Sequence, residues 1–191
     1  MTAAYIHVPF CQHRCGYCNF TLVANRDDLQ PRYLDALEQE LSQLAQPEPV
    51  STLFVGGGTP THLSPPHRQR LLQLLNHWLP LEPGNETEFS VESNPNDITP
   101  ELLESVAAAG VNRLSLGVQS FQDHVLQVLE REHSGDQAFA AITMAKSVIP
   151  RVSLDLIFAT PGESLADWQA DLRAAIEADI EHVSTYGLTF E

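Results

Sequence analysis

Lysine is almost absent from this chain. Lys146 is the only one, and 10 basic residues stand against 25 acidic ones, for a formal net charge of −15. That balance leaves no basic stripe to track a phosphate backbone, so nucleic acid is not expected as a partner and the acidity reads as a solvated exterior. Long apolar runs are missing too. None approaches the roughly 18 residues of a membrane span, and the N-terminus has no charged-then-apolar leader, so a cytoplasmic protein without a membrane span is expected. Cysteine is scarce: an odd count of 3 in 191 residues, with no leader before it, argues against a disulfide framework. Low-complexity tracts and repeats of solenoid period do not stand out. The length suits one domain, 1–191, with a core of its own.

Scarce as they are, the three cysteines fall within eight residues, as Cys11, Cys15 and Cys18 of Tyr5-Ile-His-Val-Pro-Phe-Cys11-Gln-His-Arg-Cys15-Gly-Tyr-Cys18-Asn-Phe20. Thiolates on so short a loop converge on one point, which should hold a metal centre. Three of them satisfy three irons of a [4Fe-4S] cube and leave the fourth iron without a protein ligand. An open iron can bind a substrate. A structural zinc module, with the cysteines joined by His13 or His7, has the right ligand types as well.

Short β-rich runs alternate with helical patterns along the whole chain, which predicts an α/β fold of parallel strands linked by helices. Strands are expected over about 3–8, 52–55, 88–92, 113–118, 152–158 and 182–188. The intervening helices are expected over about 31–45, with Tyr33, Leu34, Leu37, Leu41 and Leu44 at helical spacing, 65–79 after Ser64 as cap, 100–109 after Thr99, a region through Glu130, 136–148 and 164–178. Gly110 should end the third.

Several residues at strand ends invite a functional reading beside a plain one. Gly56-Gly57-Gly58 lets backbone approach a ligand closely, or makes a tight turn. Glu92 closes an apolar strand as a ligand contact or a solvated cap. Asp155 interrupts Val152-Ser-Leu-Asp-Leu-Ile-Phe158, a run that reads as fully buried, and a buried carboxylate needs a partner: the ribose of a nucleoside or an arginine. Gln119 is a contact or a satisfied amide. Arg131 is a surface residue of an acid-rich helix or a bidentate carboxylate clamp.

The CxxxCxxC motif with Tyr17 before its last cysteine resembles the radical S-adenosylmethionine (SAM) superfamily. That resemblance implies a partial (β/α)6 barrel with its site at the C-terminal ends of the strands, and a [4Fe-4S] cluster on Cys11, Cys15 and Cys18. SAM would chelate the open iron, and an electron would break its carbon–sulfur bond to give a 5'-deoxyadenosyl radical. More narrowly, Tyr5 to Cys11, Phe54-Val-Gly-Gly-Gly-Thr-Pro60, Val91-Glu92-Ser-Asn-Pro95, Gly110 to Phe121, Arg131-Glu-His133 and Leu154-Asp155-Leu156 resemble the oxygen-independent coproporphyrinogen III oxidase family and its haem-chaperone relatives. By that resemblance Tyr5, Gly57 and Glu92 would contact the cluster-bound SAM. Tyr17, Gly58, Thr59, Gln119, Arg131 and Asp155 match positions that contact a second SAM in the oxidase. Haem or porphyrinogen, haem-acceptor proteins and an electron donor are the implied partners.

Two departures bear on the branch. The oxidase continues its motif as CxxxCxxCxC, whereas Phe20 stands at the place of the fourth cysteine, and Asn19-Phe20 looks like the haem chaperones. Ala159-Thr160 stands where relatives commonly have Gly-Leu. Because family members continue into a C-terminal domain over the barrel mouth, the chain is expected to be an N-terminal piece of a longer protein.

Overall fold

The computed structural model describes residues 3–83 and 87–189; Phe190 and Glu191, where the sequence stops, lie outside them. In chain order its elements are β1 (Ala3–Val8), β2 (Phe10–Cys11), β3 (Val23–Ala24), α1 (Gln30–Leu41), β4 (Thr52–Gly57), α2 (Pro65–Trp78), β5 (Glu88–Ser93), α3 (Pro100–Ala108), β6 (Arg113–Gln119), α4 (Asp123–Val128), α5 (Gly135–Lys146), β7 (Arg151–Phe158), α6 (Leu165–Glu177) and β8 (His182–Gly187). The six expected strands form one sheet in the order β1-β4-β5-β6-β7-β8. Every pairing in it is parallel. β1 and β8 are its edges, as a partial barrel requires. The short pair β2–β3 inside the cysteine loop had no signature, since two residues are too few for a period to show.

Alternation along the strands decides where the core sits. Val8, Leu53, Val55, Phe89, Val91, Leu114, Leu116, Leu154 and Leu156 are buried in one apolar cluster with Leu34, Leu37, Leu71, Leu75, Leu103 and Ile142 from the helices. Their strand neighbours, among them Glu92, Ser115, Gly117 and Asp155, face the concave side and line a cavity there. β7 therefore corrects the expectation of a fully buried run. Val152, Ser153, Leu154, Leu156 and Ile157 are buried as expected, but Asp155 is only partly so and Phe158 is exposed.

Local signals place the ends. Thr99 caps α3 by accepting from the Leu102 N–H at 3.1 Å, and Gly110 takes φ 94° just after α3, a conformation that costs glycine little. Ser64 is a correction: it precedes α2, but its Oγ lies 2.9 Å from His67 Nδ1 and caps no backbone N–H. Among the described residues no helix is long and apolar enough to cross a membrane.

Candidate functional site

The cysteine loop leaves β1 and is tied down by backbone pairing at its stem. Val23 N–H donates to Pro9 O (2.8 Å), Thr59 N–H to Phe10 O (2.7 Å) and Gly58 N–H to Val8 O (2.8 Å). The glycine run is what permits this closeness: a Cβ on Gly58 would stand 2.6 Å from Phe10 O, and Gly57, at φ 113°, would drive one to 2.5 Å from the His7 ring. The triple glycine is thus a packing requirement whatever else it binds.

Above that stem, Cys11, Cys15 and Cys18 line one cavity of about 420 Å3 with Tyr17, Gly57, Gly58, Thr59, Glu92, Gln119, Arg131 and Asp155. All sit at or near the C-terminal ends of the strands or in the loops beyond them, Asp155 lying deepest, three residues before the end of β7. Tyr5 is the exception among the expected residues. It is exposed, stacks on Phe54 with centroids 5.9 Å apart, and its hydroxyl lies 3.1 Å from His7 Nδ1. His7 Nε2 lies 2.6 Å from Thr21 O, and a carbonyl only accepts, so Nε2 carries the proton and Tyr5 donates to Nδ1. Both ring nitrogens are then engaged, which leaves His7 no lone pair for a metal.

A chain of polar contacts joins two of the cysteines. Cys11 Sγ lies 3.5 Å from Thr59 Oγ1, which accepts from Asn94 Nδ2 at 3.0 Å. Asn94 Oδ1 accepts in turn from Arg131 Nη2 at 2.5 Å, and Arg131 Nη1 points at Cys15 Sγ, 3.6 Å away. Because Thr59 already accepts from Asn94, its own proton is free for the Cys11 sulfur. Burial pushes the Cys11 thiol up, and the Thr59 hydroxyl and Arg131 charge pull against that. Arg131 is no surface residue. Its Nη2 also donates to Gly117 O (3.0 Å), and its Nε is buried without a partner. Tyr17, pushed up by burial, packs beside the same guanidinium.

The direct partners of Glu92 and Asp155 are neutral N–H and O–H groups, with the Arg113 charge acting on Asp155 from further off. Glu92 Oε2 accepts from the Gly57 N–H at 2.8 Å, and burial followed by the nearby Asp155 charge raises its pKa. Asp155 Oδ2 accepts from Ser115 Oγ at 3.3 Å, with Ser184 a second hydroxyl partner; burial raises its pKa too. The arginine-partner reading of Asp155 is not what the structure has. Gln119 ends β6 at φ 69° after a register shift. The loop beyond is fixed by Asp171, fully buried, which accepts from Ser120 Oγ (2.6 Å), Phe121 N–H (2.9 Å) and Gln122 Nε2 (3.0 Å).

Sequence reasoning missed Asn94, Glu130 and Asp171. Glu130 Oε2 accepts from the Gly16 N–H at 2.8 Å, pinning the cysteine loop between Cys15 and Tyr17. Asn94 directly follows a strand beside Glu92, the one place where a signal existed.

The Radical SAM superfamily model matches residues 5–175. This chain belongs to the radical SAM superfamily. It is 40% identical to the heme chaperone HemW of Bacillus subtilis over 100% of the chain and 51% of that protein, and 42% identical to HemW of Mycobacterium tuberculosis over 98% and 49%. The solved structure of coproporphyrinogen III oxidase (HemN) from Escherichia coli superposes with a TM-score of 0.88 at 30% identity, covering 98% of this chain and 44% of that one. The chain thus spans about half the length of the curated relatives it matches.

Among the described residues no three His, Cys, Asp or Glu side chains close around a single metal-ion position. The residues present nevertheless fit the cluster that the superfamily implies. Three unpaired thiols share a cavity wall, and a guanidinium that would offset an anionic cluster points at one of them with a buried N–H to spare.

Proposed function

We propose that this chain is the cluster- and SAM-holding core of a haem chaperone that delivers haem to acceptor proteins. Cys11, Cys15 and Cys18 would ligate a [4Fe-4S] cluster, which supplies electrons to SAM bound at its open iron. The protein's own share is positioning. Arg131 offsets negative charge at Cys15, and Thr59 donates toward Cys11. Glu92, anchored by the Gly57 N–H, offers its remaining lone pairs to an amino group, and Asp155 offers its own to sugar hydroxyls.

Phe20 carries the choice of branch. It lines the cavity, is 61% exposed, and stands where the oxidase pattern has a fourth cysteine. The HemW relatives support the same choice. A specific observation favours the oxidase as the second reading: the residues matching its second SAM, Tyr17, Gly58, Thr59, Gln119, Arg131 and Asp155, all line the one cavity.

Anaerobic reconstitution of the protein carrying this chain should give about four irons per chain, lost in Cys15→Ala; stoichiometric zinc with no obtainable cluster would replace this reading with a zinc module. The reconstituted protein should bind haem and transfer it to an apo-haemoprotein without restoring anaerobic growth to a strain lacking the oxidase. Restored growth would select the oxidase.

A further inference from the structure

The concave face carries a line of hydrogen bonds that cluster and SAM chelation do not account for. Toward the N-terminal ends of the strands, Arg113 Nη2 donates to Ser153 Oγ at 2.9 Å. Ser153 Oγ donates to Ser115 Oγ at 3.0 Å, and Ser115 Oγ to Asp155 Oδ2 at 3.3 Å. Arg113 with Ser115, and Ser153 with Asp155, are same-face neighbours two residues apart on β6 and β7, so the line climbs the sheet wall to the cavity.

The direction of donation along this line is fixed from both ends when Asp155 is charged. A guanidinium only donates and a carboxylate only accepts, so Ser115 turns its proton to Asp155 and Ser153 turns its own to Ser115. All three bonds then point toward Asp155. Because an arginine does not give up its proton, the line is a polarised array of donors and not a proton wire. Ser115 and Ser153 are themselves buried, 4% and 1% exposed.

The surroundings of Asp155 are otherwise divided. Burial and Glu92 on β5 oppose its charge, while His182 on β8, the Ser184 hydroxyl and Arg113 on β6, itself 3.4 Å from Glu88 Oε1 on β5, favour it. A ribose diol presents two O–H donors, and a carboxyl that kept its own proton would have one acceptor position fewer and a competing donor. We propose that Arg113, Ser153 and Ser115 form a polarised relay that holds Asp155 as a charged acceptor for the sugar hydroxyls of a bound nucleoside. This rests on the reading of Asp155 as a nucleoside contact.

The test follows the Asp155 carboxyl by NMR in the full protein labelled with 13C at the aspartate side chain, together with SAM affinity from pH 5 to 8. Ser115→Ala should move the carboxyl titration to higher pH and weaken SAM binding about tenfold, the loss of one charge-assisted bond. Ser153→Ala, which does not touch Asp155, should move both in the same direction by less. That remote effect is the signature of the relay and does not depend on Ser115→Ala folding. An Asp155 titration unmoved in Ser153→Ala, with only a lower melting temperature, would reduce the serines to packing and overturn the relay. SAM affinity unchanged in Asp155→Asn, with the titration still moved by Ser153→Ala, would instead overturn the nucleoside contact and leave the relay standing.

Discussion

On β7, Leu154 and Asp155 are adjacent in sequence and face opposite worlds. Leu154 is fully buried among helix side chains, and Asp155 looks into the cavity with two hydroxyls for company. The same division runs along β6, where Leu114 and Leu116 face the helices and Arg113, Ser115 and Gly117 do not. One face secures stability through apolar area. The other spends stability on polar groups tolerable because nearly all find a partner, the buried Nε of Arg131 being an exception. A strand of this sheet is two functions interleaved at period two.

The sharpest way to break this comparison is to mutate both neighbours. Leu154→Ala should lower unfolding free energy by about 3–5 kcal/mol, through lost transfer energy and the cavity left behind, while the protein that remains folded keeps its SAM affinity. Asp155→Asn should cost only about 1 kcal/mol, because its partners are neutral hydroxyls and an amide oxygen still accepts from them. Denaturant melts of both variants check this; equal losses would show the concave face to be as structural as the core.

pH tests the polar face in its other aspect. His133 is 4% exposed and its Nε2 lies 2.9 Å from Val118 O. Burial, then the Arg131 charge, lowers its pKa from 6.5 to about 4. Between those values the unfolded chain binds a proton there that the native state refuses, so stability falls as pH drops from 6.5 toward 4. The loss approaches about 3 kcal/mol at the low end. Glu92 and Asp155, with raised pKa values, push the other way, so the clean measure is wild type minus His133→Gln. That difference should shrink as pH falls through this window; a flat difference would mean that His133 takes its proton in place.

The apolar face was legible before any coordinates, because helices and strands announce themselves by period: all six strands lie where the runs of Ile, Val, Leu and Phe put them. The concave face was legible only in part. Cys11, Cys15, Cys18 and Gly57 carry a spacing or a composition that chemistry explains. Asn94, Glu130 and Asp171 act through partners 37, 114 and up to 51 residues away in sequence, and no local pattern encodes such a contact. β7 was misread for a related reason. Ser153 and Asp155 alternate with Val152, Leu154 and Leu156, but small polar residues interrupt hydrophobic runs often enough that the alternation passed for one buried stretch with a flaw.

The smallest expected effect lies at the rim of the same strand. Ala159, just after Phe158, stands where the family pattern commonly has glycine, and it takes φ 63°. A left-handed conformation costs a residue with a Cβ about 1–2 kcal/mol. The loop holds it there because its ends are fixed: Leu188 N–H donates to Phe158 O at 2.8 Å, and Thr160 N–H donates to Glu163 Oε2 at 2.8 Å. Ala159→Gly should release that strain and return part of it as extra freedom of the unfolded chain, a net gain of about 0.5–1 kcal/mol. For a chain of this size that is a rise of about 1–4 °C in melting temperature. Three residues on, Gly162 supplies the mirror experiment. It sits at φ 84° with nothing within 4 Å of where a Cβ would be, so Gly162→Ala pays the backbone cost without a clash and should lose about 1 kcal/mol. Opposite signs for the two variants would confirm that backbone conformation sets the cost at this rim. A loss in both would mean that the Ala159 methyl is held by contacts worth more than the strain.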